Sequence, residues 1–142
     1  GFEDSLTDGS KYIDQVVLHN NQDPYTTVIV VPNKEALKEY VKSSNPGIDI
    51  DSREAKELML KKIQDEVNSY RKGGSRAGMF PERWLPAAII VADEPFTEQN
   101  HMVNSTMKIV RGKVEKHYAD RIEYALTPEG KNLLNDKNIA SL

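Results

Sequence analysis

Apolar positions along the chain follow two rhythms, one of strands and one of helices. Tyr12 to His19 (YIDQVVLH) and Tyr25 to Val31 (YTTVIVV) are β-branched runs of strand length. The second is nearly continuous, which predicts a strand covered on both faces. Asn20-Asn21-Gln22-Asp23-Pro24 between them is turn chemistry, so the two are expected to form an antiparallel hairpin. Leu85 to Ala92 (LPAAIIVA) predicts a third strand. Helical spacing fills much of the remainder. Phe2 to Leu6 reads as a short amphipathic helix stopped by Asp8-Gly9. Asn33, just after the strand-ending Pro32, caps a helix over Lys34 to Lys42 with Leu37, Tyr40 and Val41 on one side. After a cap at Asp51 or Ser52, the residues Ala55, Met59, Ile63, Val67 and Tyr70 form one stripe facing a sheet. Val110, Val114, Tyr118, Ile122 and Ala125 predict a single helix reaching about Leu126. Thr127-Pro128-Glu129 opens a last short one. Between these, Lys72 to Gly78 (KGGSRAG) predicts a flexible, basic break. The expected fold is α+β: one domain over residues 1–142, with a sheet of about three strands (antiparallel hairpin plus one) packed by helices.

Composition narrows the classes. With 38% hydrophobic and 29% charged residues the chain is globular and not a disordered tail. A net charge of −3 with interspersed signs predicts neither a nucleic-acid partner nor an anionic membrane surface. The absence of cysteine removes disulfides, thiolate metal sites and a cysteine nucleophile, and fits a reducing cytoplasm. No run is long enough to span a bilayer, and GFEDSLTDGSKY is not expected to be a signal peptide. Gly1 in place of an initiator methionine suggests a piece cut from a longer polypeptide.

Most local motifs read better as structure than as chemistry. Gly73 to Gly78 follows a helix and lacks the Lys-Ser/Thr ending of a phosphate loop. Asp49-x-Asp51 lacks the further carboxylates of a calcium loop and reads as helix entry. His19, His101 and His117 show no metal-ligand spacing, so no metal site is expected. Asn104-Ser105-Thr106 matches a glycosylation sequon by letter only. Trp84, the one tryptophan, is expected to pack a sheet edge, with an interdomain or ligand-facing surface as the alternative. Lys108 is different. It follows a Ser-Thr pair and is expected at the mouth of a helix, where Ser105, Thr106 and the first helical N–H groups would join its charge in binding a phosphate or carboxylate.

The stretch FTEQNHMVNSTMKIVR resembles the last conserved motif of adenylate-forming enzymes, in the form found in long-chain fatty acid–CoA ligases, roughly P-F-T-x-E-N-G-x-x-T-x-T-x-K-x-x-R. Pro95, Phe96, Thr97, Asn100, Thr106, Lys108 and Arg111 match it. Upstream, YI-x-Q-V and P-Y-x-x-x-V-V-x-P-N are similar to that family's hairpin, and KVEKHYADRIEYALTPEGKN to its closing helices. The resemblance runs from about Phe2 to Asn138 and is weakest between Ser44 and Pro81. The chain departs from it in several places. His101 stands where glycine is usual, Asn104-Ser105 replaces a Thr-Pro or Pro-Lys-Thr approach, and Met107 occupies a position that is glycine in many relatives, though fatty-acyl ligases tolerate an apolar residue there.

The resemblance implies the C-terminal lid domain of an acyl-CoA synthetase. Lys108 would be the lysine that reaches the substrate carboxylate and the α-phosphate during adenylation. Asn100, His101, Ser105, Thr106 and Arg111 would belong to the loop near substrate and nucleotide. ATP, Mg and CoA would serve the whole enzyme, with none bound by this piece, which is expected to be inactive when isolated. Its partners would be an N-terminal ATP- and acid-binding domain, a fatty acid, ATP and CoA, with membrane contact only through that other domain. Other readings are a lid for another acid or for a carrier-linked adenylation domain, and a non-catalytic α+β interaction module.

Overall fold

The computed structural model describes residues 1–142. Three strands, β1 (Ile13–His19), β2 (Thr27–Pro32) and β3 (Ala88–Val91), form one sheet in the order β1-β2-β3. β1 runs antiparallel to β2, as the turn chemistry predicts, and β3 lies parallel to β2 on its other side. Every residue of β2 is buried, in keeping with its unbroken apolar run. No helix is long and apolar enough to cross a membrane.

Two cores lie on the two faces of this sheet. On the first, Val16, Val28, Val30, Ile89 and Val91 pack against α1 (Phe2–Gly9), α2 (Lys34–Ser44) and α3 (Arg53–Val67). The expected stripe Ala55, Met59, Ile63, Val67 and Tyr70 is buried there. Both caps form: the Asn33 side chain accepts from the Ala36 N–H, and Ser52 accepts from Ala55. On the second face, Val17, Ile29, Val31 and Ile90 pack against Phe96, Met102, Val103, α4 (Arg111–His117) and α5 (Ala119–Ala125).

A bulge joins the two faces. Ile13 pairs with Pro32 and Gln15 with Val31, which leaves Asp14 without a partner and resets the alternation of β1. Gln15 is thereby turned to the second face. There its side-chain amide donates to the Phe96 carbonyl (3.1 Å) and accepts from the Phe96 N–H (2.9 Å).

Three expectations need correction. The predicted single helix from Val110 is interrupted at Tyr118, whose backbone (φ −101°, ψ 19°) is no longer helical. The apolar spacing runs straight through the break, so periodicity could not reveal it. The Lys72–Gly78 segment is folded into turns, with the Arg76 N–H bonded to the Ser69 carbonyl and the Arg76 guanidinium to the Tyr70 hydroxyl and the Gly9 carbonyl. Trp84 is not buried against a sheet edge; it is 55% exposed. Beyond α6 (Pro128–Lys131), opened by Thr127 and Pro128 as expected, a further short helix α7 (Asp136–Ala140) carries the buried Asn138.

Candidate functional site

The segment after β3 is pinned at both ends and exposed in the middle. Phe96, Met102 and Val103 are buried in the second core. Each such apolar side chain contributes on the order of 1.5–3 kcal/mol, ample to root a loop. Asn100 ties the first bend. Its side-chain Oδ1 accepts from the N–H groups of Thr97 and Met102, and its Nδ2 donates to the Pro95 carbonyl. His101 sits in the left-handed region at φ 66° (where the resemblance expects glycine), and its side chain is exposed.

A tight hairpin follows. Val103 and Ile109 form a bridge, and Val110 N–H donates to Met102 O at 2.8 Å. Lys108 stands at the exposed tip of this hairpin. It is not at the mouth of a helix, because α4 starts only at Arg111. Thr106 does not turn its donors outward either: its N–H and hydroxyl both donate to Asn104 Oδ1, at 3.0 and 2.7 Å. Ser105 is exposed. Met107 adopts φ 64° with its side chain 75% exposed, so a second position where the resemblance often has glycine also takes glycine-like backbone. A left-handed residue with a side chain costs roughly 1–2 kcal/mol, so the hairpin holds this shape against local preference.

Lys108 projects beside a cleft of about 420 Å³ lined by Glu3, Asp4, Asp14, Gln15 and Arg111, among others. Its ammonium joins none of the ion pairs of the chain. Arg111, by contrast, is occupied. Its guanidinium grips both oxygens of Glu3 (2.7 and 3.0 Å) and donates to the Leu18 carbonyl at 2.8 Å. The hydrogen bonds to Glu3 raise the guanidinium pKa further above its ordinary value. Glu3 also accepts from the Leu18 N–H at 2.6 Å. The pair therefore caps the outward backbone of edge strand β1 and forms one wall of the cleft.

The histidines lie elsewhere. His19 is flanked by Asp23 (3.5 Å) and Glu115, and His117 lies 3.6 Å from Glu94. Sequence reading assigned no role to Asn104, Glu3 or Gln15. Only Asn104 carries a local signal, as an asparagine placed to fold its side chain back onto the next few backbone N–H groups.

Comparison with known proteins shows what the chain resembles. No protein-family profile matches the chain. It is 31% identical over 115 residues to a probable acyl-activating enzyme 16, chloroplastic, of Arabidopsis thaliana, covering 80% of this chain and 15% of that protein. It is 26% identical over 116 residues to the long chain acyl-CoA synthetase 8 of the same plant, and 24% identical over 115 residues to fatty acyl-CoA synthetase B of Dictyostelium discoideum, again over 80% of this chain. The chain spans about 15% of the length of the curated relatives it matches. Among solved structures, the adenylation domain of a Mycobacterium chelonae carboxylate reductase superposes with TM-score 0.58 at 25% identity, over 86% of this chain and 16% of that one. The fold is shared also by the A-PCP didomain of a Segniliparus rugosus carboxylic acid reductase, at TM-score 0.55 and 23% identity over 86% of this chain and 15% of that one. In sequence and in fold, the chain is similar to a small share of the length of acyl-activating, adenylate-forming enzymes.

Proposed function

We propose that this chain is the lid of an ATP-dependent fatty acid–CoA ligase, with Lys108 as its adenylation lysine. The observation that carries the reading is the unpaired Lys108 ammonium on a core-rooted hairpin beside an open cleft. Joining a carboxylate to the α-phosphate of ATP brings two anions together and builds charge on the bridging oxygens. A lysine delivered there stabilises the transition state more than the separated substrates. The cation must arrive from outside the pocket that holds the substrates, and a small domain that carries a lysine on a fixed hairpin can bring it and then withdraw it.

The remainder of the enzyme is the partner that binds Mg-ATP and the fatty acid, and CoA attacks the acyl-adenylate in the second step. Two relatives named as fatty-acyl or long-chain acyl-CoA synthetases support a fatty acid as the substrate. A cysteine-free sequence suits a reducing compartment, and the reading assigns the enzyme to the cytoplasm. Asn100 and Thr106 act in this reading by shaping the loop, and Arg111 by fastening it to Glu3. His101 and Ser105 remain the exposed loop groups that would meet ligand. A second acceptor is kept in view by the A-PCP didomain likeness, in which a carrier protein would replace CoA.

The test is Lys108→Ala in the enzyme that contains this chain. Loss of such a charge contact costs about 3–4 kcal/mol of barrier, or roughly two to three orders of magnitude in rate. ATP–pyrophosphate exchange is expected to fall by that much, while thioester formation from preformed acyl-adenylate persists. Equal loss of both half-reactions, or of neither, would refute the role. Supplying CoA or a carrier protein as the only acceptor distinguishes the two forms of the enzyme.

A further inference from the structure

The structure assigns Asn104 as the positioning residue for Lys108, an inference that rests on the adenylation role proposed above. Both main-chain polar groups of the lysine end on this one residue. Lys108 N–H donates to Asn104 Oδ1 at 3.0 Å, and Lys108 C=O accepts from Asn104 N–H at 2.9 Å. The same side-chain oxygen takes the N–H and hydroxyl of Thr106, and the Asn104 carbonyl accepts from Met107 N–H at 2.9 Å. Asn104 therefore holds Thr106, Met107 and Lys108 at once, while Ser105 fills the bend.

The clamp is needed because the turn is otherwise unfavourable. Met107 is held left-handed and has nothing to bury, since its side chain is largely exposed. Removing the Asn104 side chain leaves the two main-chain bonds of the turn but takes away the three bonds to Oδ1, those of the Thr106 N–H and hydroxyl and of the Lys108 N–H. The residues on either side of left-handed Met107 are then less firmly held, and relaxation of Met107 to φ < 0 turns the next Cα–Cβ bond, that of Lys108, away from the cleft. A charge acting on a transition state is sensitive to such placement, and a shift of about 1 Å can cost about a hundredfold in rate. Asn104 is exposed and touches its own turn, so replacing it leaves both cores intact.

The experiment compares Asn104→Ala, Asn104→Asp, Lys108→Ala and the double variant Asn104→Ala/Lys108→Ala in the full enzyme, by ATP–pyrophosphate exchange and by thioester formation from preformed acyl-adenylate. Asn104→Ala is expected to lower the exchange kcat at least about tenfold with the KM for the acid unchanged, and to leave thioester formation within about twofold. Asn104→Asp keeps the accepting oxygen and is expected to recover most of the rate. In the Lys108→Ala background the alanine at 104 is expected to add no further loss, because there is no ammonium left to aim. An Asn104→Ala enzyme with normal exchange, an aspartate that recovers nothing, or an undiminished loss in the Lys108→Ala background would each overturn the assignment. If Lys108→Ala itself leaves exchange intact, the adenylation role fails, and the positioning role with it. If Lys108→Ala collapses exchange while Asn104→Ala does not, only the positioning role fails.

Discussion

The two free edges of the sheet are closed by side chains in opposite ways. At β1 the outward N–H and C=O of Leu18 are met by Glu3 and Arg111, charged groups that keep much of their surface in water. At β3 the outward Ile89 C=O and Val91 N–H are met by the amide of Asn138, which is 1% exposed. That amide also donates to Leu133 O and accepts from Arg121. Burial lowers the Arg121 guanidinium pKa below its ordinary value. Both devices stop the sheet from adding a further strand, but they leave different surfaces behind. The β3 edge is sealed and dry. The β1 edge is screened by groups that tolerate water, and the cleft beside Lys108 lies along it. The difference teaches where this fold can afford a site: beside the edge whose closure does not need burial.

The comparison can be broken most directly at Asn138. Asn138→Leu strands a buried N–H, a buried C=O and part of Arg121, each worth on the order of 1–3 kcal/mol when left unpaired. We expect a loss of about 3 kcal/mol, seen as a fall of roughly 10 °C in Tm by calorimetry. A loss below about 1 kcal/mol would make the two edges equivalent.

Tyr118 sharpens the same side. Its hydroxyl donates to Asp93 at 2.9 Å and its ring is buried in the second core. Burial first, with the bond to Asp93 adding, pushes the phenol pKa well above its usual value. The folded pKa is raised, so this contribution is complete below the unfolded value of about 10 and is lost as pH rises from there through the folded value. Tyr118→Phe is expected to cost about 1.5 kcal/mol near neutrality, the worth of a hydrogen bond to a charged group. It should also flatten the alkaline fall in stability, as urea melts at neutral and strongly alkaline pH would register.

The smallest effect belongs to the wet edge. Arg111→Ala removes a half-exposed ion pair and one backbone contact, so about 1 kcal/mol is expected. Its distinguishing mark is salt: the difference from the unaltered chain should shrink in about 1 M salt, where the Debye length falls to about 3 Å. The Asn138→Leu difference should not. A salt-independent loss at Arg111 as large as that at Asn138 would dissolve the contrast between the edges.

Much of this architecture was legible in order along the chain. The three strands, the Asn33 and Ser52 caps and the α3 stripe are local matters of spacing, turn chemistry and capping, and they appear where those rules predict. The lysine at the candidate site was legible as well, through its motif. The hairpin that presents it was not. A helix mouth was expected because Val110, Val114 and Tyr118 begin a helical spacing, whereas the hairpin depends on Met102 and Val103 being held by the second core. The left-handed backbone at His101 and Met107 showed only as departures from a glycine-bearing pattern. Methionine does not ask for that conformation, and histidine adopts it in only a minority of cases.

By itself, then, the sequence determined the three strands, the caps of α2 and α3 and the covered central strand, because each follows from residues within a few positions of one another, and it pointed to Lys108 through a motif. Only the tertiary structure decided which partners close the sheet. Glu3 meets Arg111 across 108 positions and Asn138 meets Ile89 across 49, and no periodicity spans such gaps. The same packing placed Lys108 on a clamped tip beside the open edge. Its position is a consequence of two buried anchors and one asparagine, and only the folded chain brings those together.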